Sequence, residues 1–227
     1  MNLLAIDTAA RLCACCVLDT ESGRELGREV LDLGKGHAEQ LMGVIEAALS
    51  QASIGYADLG MVAVSVGPGS FTGVRVGVSA ARGLALALGI PAVGVSSLEA
   101  LAARARDDHP GRDILVLLDA GRGGVYAARY DAEGLESVPP VLLDAAQAAE
   151  LARAGEPILA GSAANTVREA VGRDLPIVLR QGTADIATYA RVAARRGLPG
   201  RPASPLYLRA ADAKPQAGFA LPRRDEP

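Results

Sequence analysis

The chain has 227 residues, half of them hydrophobic, with 23 basic against 26 acidic side chains and a formal net charge of −3. A chain of this length buries about 70% of its unfolded surface, enough for one large core or two smaller ones. The acidic balance gives no general attraction to nucleic acid, and no Trp, two Phe and five Tyr leave little material for stacking bases. No apolar run approaches the ~18 residues that cross a bilayer. The N-terminus enters apolar residues at once, without a basic leader or cleavage site. A cytoplasmic protein with no membrane contact is therefore expected.

In chain order, residues 2–7 and 13–18 read as two buried strands joined by a short turn. A third strand is expected over 28–33, although its alternation is poor. Lys35-Gly36-His37 leads into a helix over 38–51, with Leu41, Val44, Ile45, Ala48 and Leu49 at helical spacing. A strand over 61–66, a helix over 70–88, a strand over 91–95 and a helix over 97–106 complete the order βββαβαβα. Cys13, Cys15 and Cys16 fall in one strand, where neighbours point to opposite faces. Their spacing fits no zinc or CxxC pattern, so they read as small buried hydrophobes.

The pattern then starts again. Ile114-Leu-Val-Leu-Leu-Asp119 resembles Leu3-Leu-Ala-Ile-Asp7, and the second strands end in Asp131 and Asp19; both Asp pairs lie 112 positions apart. A constant offset argues for a structural repeat. The second copy continues with a strand over 125–130, helices near 143–153, 163–171 and 184–195, and strands over 157–160 and 176–179. A duplicated βββαβα unit, two lobes facing each other across a cleft, is the plan of the actin, sugar-kinase and Hsp70-like ATPase fold. The expected division is 1–106 and 107–211, with a disordered tail over 212–227 rich in Pro, Arg and acids.

Val66-Gly-Pro-Gly-Ser-Phe-Thr-Gly-Val-Arg75 carries the most information. A strand turning through glycines into a helix capped by Ser70 aims backbone N–H groups outward, the geometry that holds phosphate or another anion. Gly67 and Gly69 allow close approach, and Ser70 and Thr72 add hydroxyls; a tight βα turn with a good cap is the competing reading. No Lys follows, so it is not a Walker loop, nor is it GxGxxG. In this fold an Asp ending the first strand often holds a metal-bound phosphate, and Asp7 and Thr8 occupy those positions; alternatively Asp7 only caps its turn. Asp119 precedes Ala120-Gly-Arg122 rather than a hydroxyl and glycine pair, and Gly161-Ser-Ala-Ala is a poor second loop. The catalytic kit looks incomplete. His37 and His109, 72 positions apart, make no metal-binding pair. Along the helix from Ser70, the small residues Gly73, Gly77, Ala81 and Ala85 recur every four positions. Such a ridge admits another backbone closely, either a partner helix or the chain's own sheet.

Leu4-Ala-Ile-Asp-Thr-Ala9, Gly36-His-Ala-Glu-Gln-Leu41, Gly67-Pro-Gly-Ser-Phe-Thr-Gly-Val-Arg-Val-Gly77, Gly83-Leu-Ala-Leu86, Gly94-Val-Ser-Ser-Leu98 and Pro205-Leu-Tyr-Leu-Arg209 together resemble the bacterial TsaB (YeaZ) family. The match runs from residue 3 to about 209 and is looser between about 135 and 200. Members are accessory subunits in making threonylcarbamoyladenosine at position 37 of tRNAs that read codons beginning with A. The resemblance implies a fold retained without activity. The catalytic paralogue, TsaD, has an HxxxH metal site where this chain has Ser97 and Leu101, so neither a resident metal nor peptidase chemistry is expected. It also implies a heterodimer with TsaD through the two helices of the first half, and a homodimer through the same surface when alone. Leu41, Ile45, Gly73, Gly77, Ala81 and Ala85 are the interface residues so implied. A TsaE-type ATPase docks on the pair, and tRNA is reached only through the complex. Whether Asp7, Thr8 and the loop still hold ATP or ADP stays open, and a stand-alone ATP-dependent kinase or hydrolase of this fold is the competing function.

Overall fold

The computed structural model describes residues 1–198 and 200–209; the tail expected over 212–227 lies outside them. The first half runs β1 (Asn2–Asp7), β2 (Leu12–Asp19), β3 (Glu25–Asp32), α1 (His37–Ala52), β4 (Leu59–Ser65), α2 (Phe71–Leu88), β5 (Ala92–Val95) and α3 (Ser97–Asp108). The second runs β6 (Ile114–Gly121), β7 (Gly124–Tyr130), β8 (Glu136–Asp144), α4 (Ala145–Arg153), β9 (Ile158–Ala160), α5 (Ala164–Val171), β10 (Ile177–Leu179) and α6 (Ile186–Arg196). The sheets are ordered β3-β2-β1-β4-β5 and, reading from the corresponding edge, β8-β7-β6-β9-β10. In each, the central strand, β1 or β6, pairs antiparallel on one side with the next strand of a three-strand meander and parallel on the other side with a crossover strand. The repeat read from the Asp spacing is therefore a repeat of topology.

Two details differ from the sequence reading. The third strand that the repeat implies for the second half was given no range; β8 fills that place, and residue 143, assigned to a helix, belongs to it, so that α4 begins only at Ala145, behind an Asp144 cap that exchanges hydrogen bonds with Gln147. The 18-residue α2 is also long and apolar enough, with mean hydropathy 1.2, to cross a membrane by composition alone. One of its faces, through Val74, Gly77, Val78 and Ala81, is seated on the first sheet, and Arg75 and Arg82 stand on the open side.

The core lies in three layers. Leu4, Ile6, Cys13, Cys15 and Val17 face α1 and α2 on the outer side of the first sheet, and Leu115, Leu117 and Ala127 face α4 and α5 on the outer side of the second. Between the sheets the last helices are exchanged. α3, which ends the first half, packs on β6, β7, β9 and β10, while α6, which ends the second, packs on β1, β2, β4 and β5. Cys16 points into this central layer, opposite to Cys15, as strand alternation requires. Burial pushes the Cys13 thiol up to about 11, Cys16 to about 12 and Cys15 well above its ordinary value, so all three stay protonated. Beyond α6 the chain returns to the first half. Pro202 bridges Val93 of β5, Gly94 N–H donates to the Arg201 carbonyl (2.7 Å) and Leu206 N–H to that of Val66 (2.8 Å).

Candidate functional site: a sealed carboxylate and an open helical face

The C-terminal ends of β1 and β4 and the N-termini of α2 and α3 meet at Asp7. Its Oδ1 accepts the Ala9 N–H at 2.9 Å, the turn-capping role, and its Oδ2 accepts the Thr183 hydroxyl. Thr183 also bonds the Tyr189 hydroxyl (2.7 Å), and Ser65 and Ser97 Oγ lie 3.3 Å apart beside them. Asp7, Ser65, Ser97 and Tyr189 are all buried to within about 1%. Burial raises the Asp7 carboxyl above the usual range, against the lowering effect of the bonds from Thr183, Ala9 and Ser65. Asp7 is thus held in a buried polar knot closed by the second half, not presented to a cleft. Sequence reasoning missed Thr183 because it lies 176 positions from Asp7 with no motif around it. The pseudo-equivalent Asp119 makes the same turn, accepting the Gly121 N–H at 2.8 Å, but is exposed.

The glycine segment shows why glycines are needed there. Gly67 has φ +87°, and its carbonyl accepts the Ser97 N–H. A Cβ on Gly69 would sit 2.2 Å from the Ala9 carbonyl oxygen, one on Gly73 2.0 Å from that of Thr8, and one on Gly77 2.5 Å from Thr8 Oγ1. Thr8 Oγ1 donates to the Gly73 carbonyl at 2.7 Å, and Ser70 N–H to the Ala9 carbonyl at 2.7 Å. Ser70 Oγ caps α2 by accepting the Gly73 N–H. The loop and ridge let α2 lie directly on the β1–β2 turn; Thr8 is enclosed by them, while Ser70 and Thr72 remain exposed.

This bears on the expected interface residues. Gly73, Gly77, Ala81 and Ile45 pack on the chain's own β1–β2 turn and first sheet, whereas the buried Leu41 lines the groove between α1 and α2 and Ala85 lines a hollow beside Ala92 and Pro202. The physical reason is the Thr8–Gly73 contact, which fixes the ridge inward. Phe71, at the start of α2, is turned outward. The open faces of α1 and α2 carry other side chains: Met42 is 45% exposed, Phe71 59% and Leu86 86%. Between the helices lies an apolar groove of about 480 Å³, walled by Met42, Phe71, Val76 and Ala80. The Arg75 guanidinium stacks 3.7 Å above the Phe71 ring and donates to Tyr207 Oη at 2.8 Å, tying the C-terminal segment to this face.

Of the two places where an HxxxH pair would hold metal, Ser97 lies in the buried knot and Leu101 in the central core. Among the described residues no group of three His, Cys, Asp or Glu has metal-binding proximity.

The family model for TsaD, tRNA N6-adenosine threonylcarbamoyltransferase, matches residues 32–192. An uncharacterised Mycobacterium tuberculosis protein is 37% identical over 218 residues, 95% of each chain. The tRNA threonylcarbamoyladenosine biosynthesis protein TsaB of Bacillus subtilis is 37% identical over 142 residues, 62% of this chain and 60% of that one. YeaZ from Pseudomonas aeruginosa superposes with a TM-score of 0.76 at 26% identity, covering 91% of this chain and 100% of that structure. This chain belongs to the TsaB/YeaZ family. The ethanolamine utilisation protein EutJ of Carboxydothermus hydrogenoformans, at 10% identity and TM-score 0.51, supports the two-lobed actin-like fold alone. The aligned part spans only 60% of the Bacillus TsaB and 55% of its Escherichia coli counterpart.

Proposed function

We propose that this protein is a cytoplasmic, non-catalytic subunit of the machinery that makes threonylcarbamoyladenosine in tRNA, acting by pairing with a TsaD-type transferase through the open faces of α1 and α2. The observation that carries the pairing is the exposed apolar pair Met42 and Phe71 in the wall of the groove between α1 and α2, the two helices that the family resemblance implies. An apolar groove rimmed by exposed large apolar side chains marks a site of protein association. The named TsaB relatives support the pathway. The same face closes a homodimer when the transferase is absent, a TsaE-type ATPase docks on the heterodimer, and tRNA is engaged by the assembly. Asp7, sealed under Thr183, argues against a stand-alone kinase or hydrolase, which needs an accessible carboxylate for its metal and phosphate.

The test is a mixing experiment with a TsaD-type transferase, read by size-exclusion chromatography with light scattering. Wild-type chain should form a heterodimer, and the Phe71→Asp/Met42→Glu variant, whose changes are on exposed positions, should stay folded and elute alone. Retained pairing by the folded variant would contradict this face. A second reading, ATP turnover by the isolated chain above a buffer blank, would favour the enzyme.

A further inference from the structure

A second cavity, about 800 Å³, opens between α3, α6 and the β7–β8 hairpin and shares no lining residue with the α1–α2 groove. None of the Asp7 knot's residues, Asp7, Ser65, Ser97, Thr183 or Tyr189, lines it. Three of the side chains that line it each carry a buried polar atom that the protein leaves unpaired. Tyr130 is 95% buried, yet its hydroxyl has no hydrogen-bond partner. Burial first, and then Glu99 and Glu136, raise that phenol's pKa, while Arg201 and Arg196 oppose them; all four charged side chains line the same cavity. One oxygen of Glu99 is engaged by Arg196, whose other arm donates to the Gly94 carbonyl at 2.9 Å; the second oxygen is buried and unpartnered. Arg106 donates to the Glu133 carbonyl at 3.0 Å, but its buried Nε donates to nothing. Arg195, exposed at the mouth, has no partner among the described residues.

Each buried polar group left unsatisfied costs roughly 1–3 kcal/mol, and native proteins retain few without a reason. Here three of them surround one cavity, and they want opposite things. Glu99 asks for a donor, Arg106 and Arg195 ask for an anionic acceptor, and Tyr130 serves either. A simple anion answers only the arginines and meets Glu99 unfavourably; a cation has the reverse problem.

We propose that this cavity binds a small zwitterion, a free α-amino acid, with its carboxylate toward Arg106 and Arg195 and its ammonium toward Glu99 and Tyr130. Such a ligand carries both charges a few bonds apart and adds no net charge to a mixed pocket. The volume leaves room for a side chain and water beside it. The inference stands on this cavity alone and does not depend on the role in tRNA modification.

The test is calorimetric titration of the full-length protein with each common L-amino acid, and with inorganic phosphate as the anion probe. At least one amino acid should bind saturably with a Kd of about 1 mM or tighter. Its amide, lacking the carboxylate, and its N-acetyl derivative, lacking the ammonium, should each bind at least about tenfold more weakly. Tyr130→Phe removes a hydroxyl that has no partner in the free protein, so thermal stability should hold while affinity falls about tenfold. Arg195→Ala, on an exposed unpaired side chain, should do the same. No binding by any amino acid would overturn the proposal and leave water as the occupant. Equal binding by phosphate would reduce the cavity to an anion site and overturn the zwitterion. Binding that survives both substitutions would place the ligand elsewhere.

Discussion

A methyl group on Gly73 would meet the Thr8 carbonyl oxygen at 2.0 Å, a contact with backbone that no rotamer relieves. Gly73→Ala should therefore lower stability by about 1–3 kcal/mol or more in urea unfolding, as overpacking does. Gly83, on the same helix, has nothing within 4 Å of its would-be Cβ, and Gly83→Ala should raise stability by about 0.5–1 kcal/mol. If both variants shift the same way, α2 does not sit on the β1–β2 turn as described. Asp7 gives a pH signature. Its folded pKa is raised above 3.8, so between the unfolded and folded values the native state binds more protons than the unfolded chain. That contribution to stability is present in full below about pH 4 and is lost as pH rises through the folded pKa. Asp7→Asn should flatten this decline in a comparison of unfolding midpoints across pH. A variant with an unchanged pH profile would mean that the carboxyl titrates normally. Asp7, Thr8 and the glycines were legible as a special site from their order along the chain. The contacts that decide what they do were not, because Thr183 and Tyr189 arrive from the far end of the sequence.

At the scale of elements, α2 teaches the same lesson about faces. Four-residue spacing of small residues marks a close approach but does not name the neighbour, and Thr8 took the place assigned to a partner helix. Ala81 is fully buried, so Ala81→Arg should unfold the protein by burying an unpaired charge, and would not serve as an interface probe. Circular dichroism of that variant checks this: a native-like, cooperative melt would return the ridge to the surface. The strand β8 escaped reading because Pro139 and Pro140 interrupt it, and prolines argue against a sheet interior. It is an edge strand, where a missing N–H can face away from the ladder. The long hydrophobic elements β1, β2, β4 and α2 were legible throughout, since their periodicity is strong and their caps are conventional.

For the whole molecule, the exchange of α3 and α6 couples the halves. A fragment ending near residue 106 would leave the inner face of the first sheet without α6, exposing Leu3, Cys16, Met61 and Val93. It should be aggregation-prone or lack a cooperative transition, and the intact chain should melt in a single calorimetric step. A soluble fragment with its own sharp transition would show the halves to be independent. The same coupling seals Asp7, since the latch residue Thr183 and the covering helix both come from the second half. The carboxylate spent on joining the halves and the apolar side chains left on the outer helices both support the proposed action through a partner. The most direct measurement is reconstitution of tRNA modification from purified components, with this chain omitted, restored as wild type, or restored as Phe71→Asp/Met42→Glu. The account predicts modified adenosine only with the wild-type chain, together with no ATP turnover by the chain alone. Full modification in its absence would contradict the account.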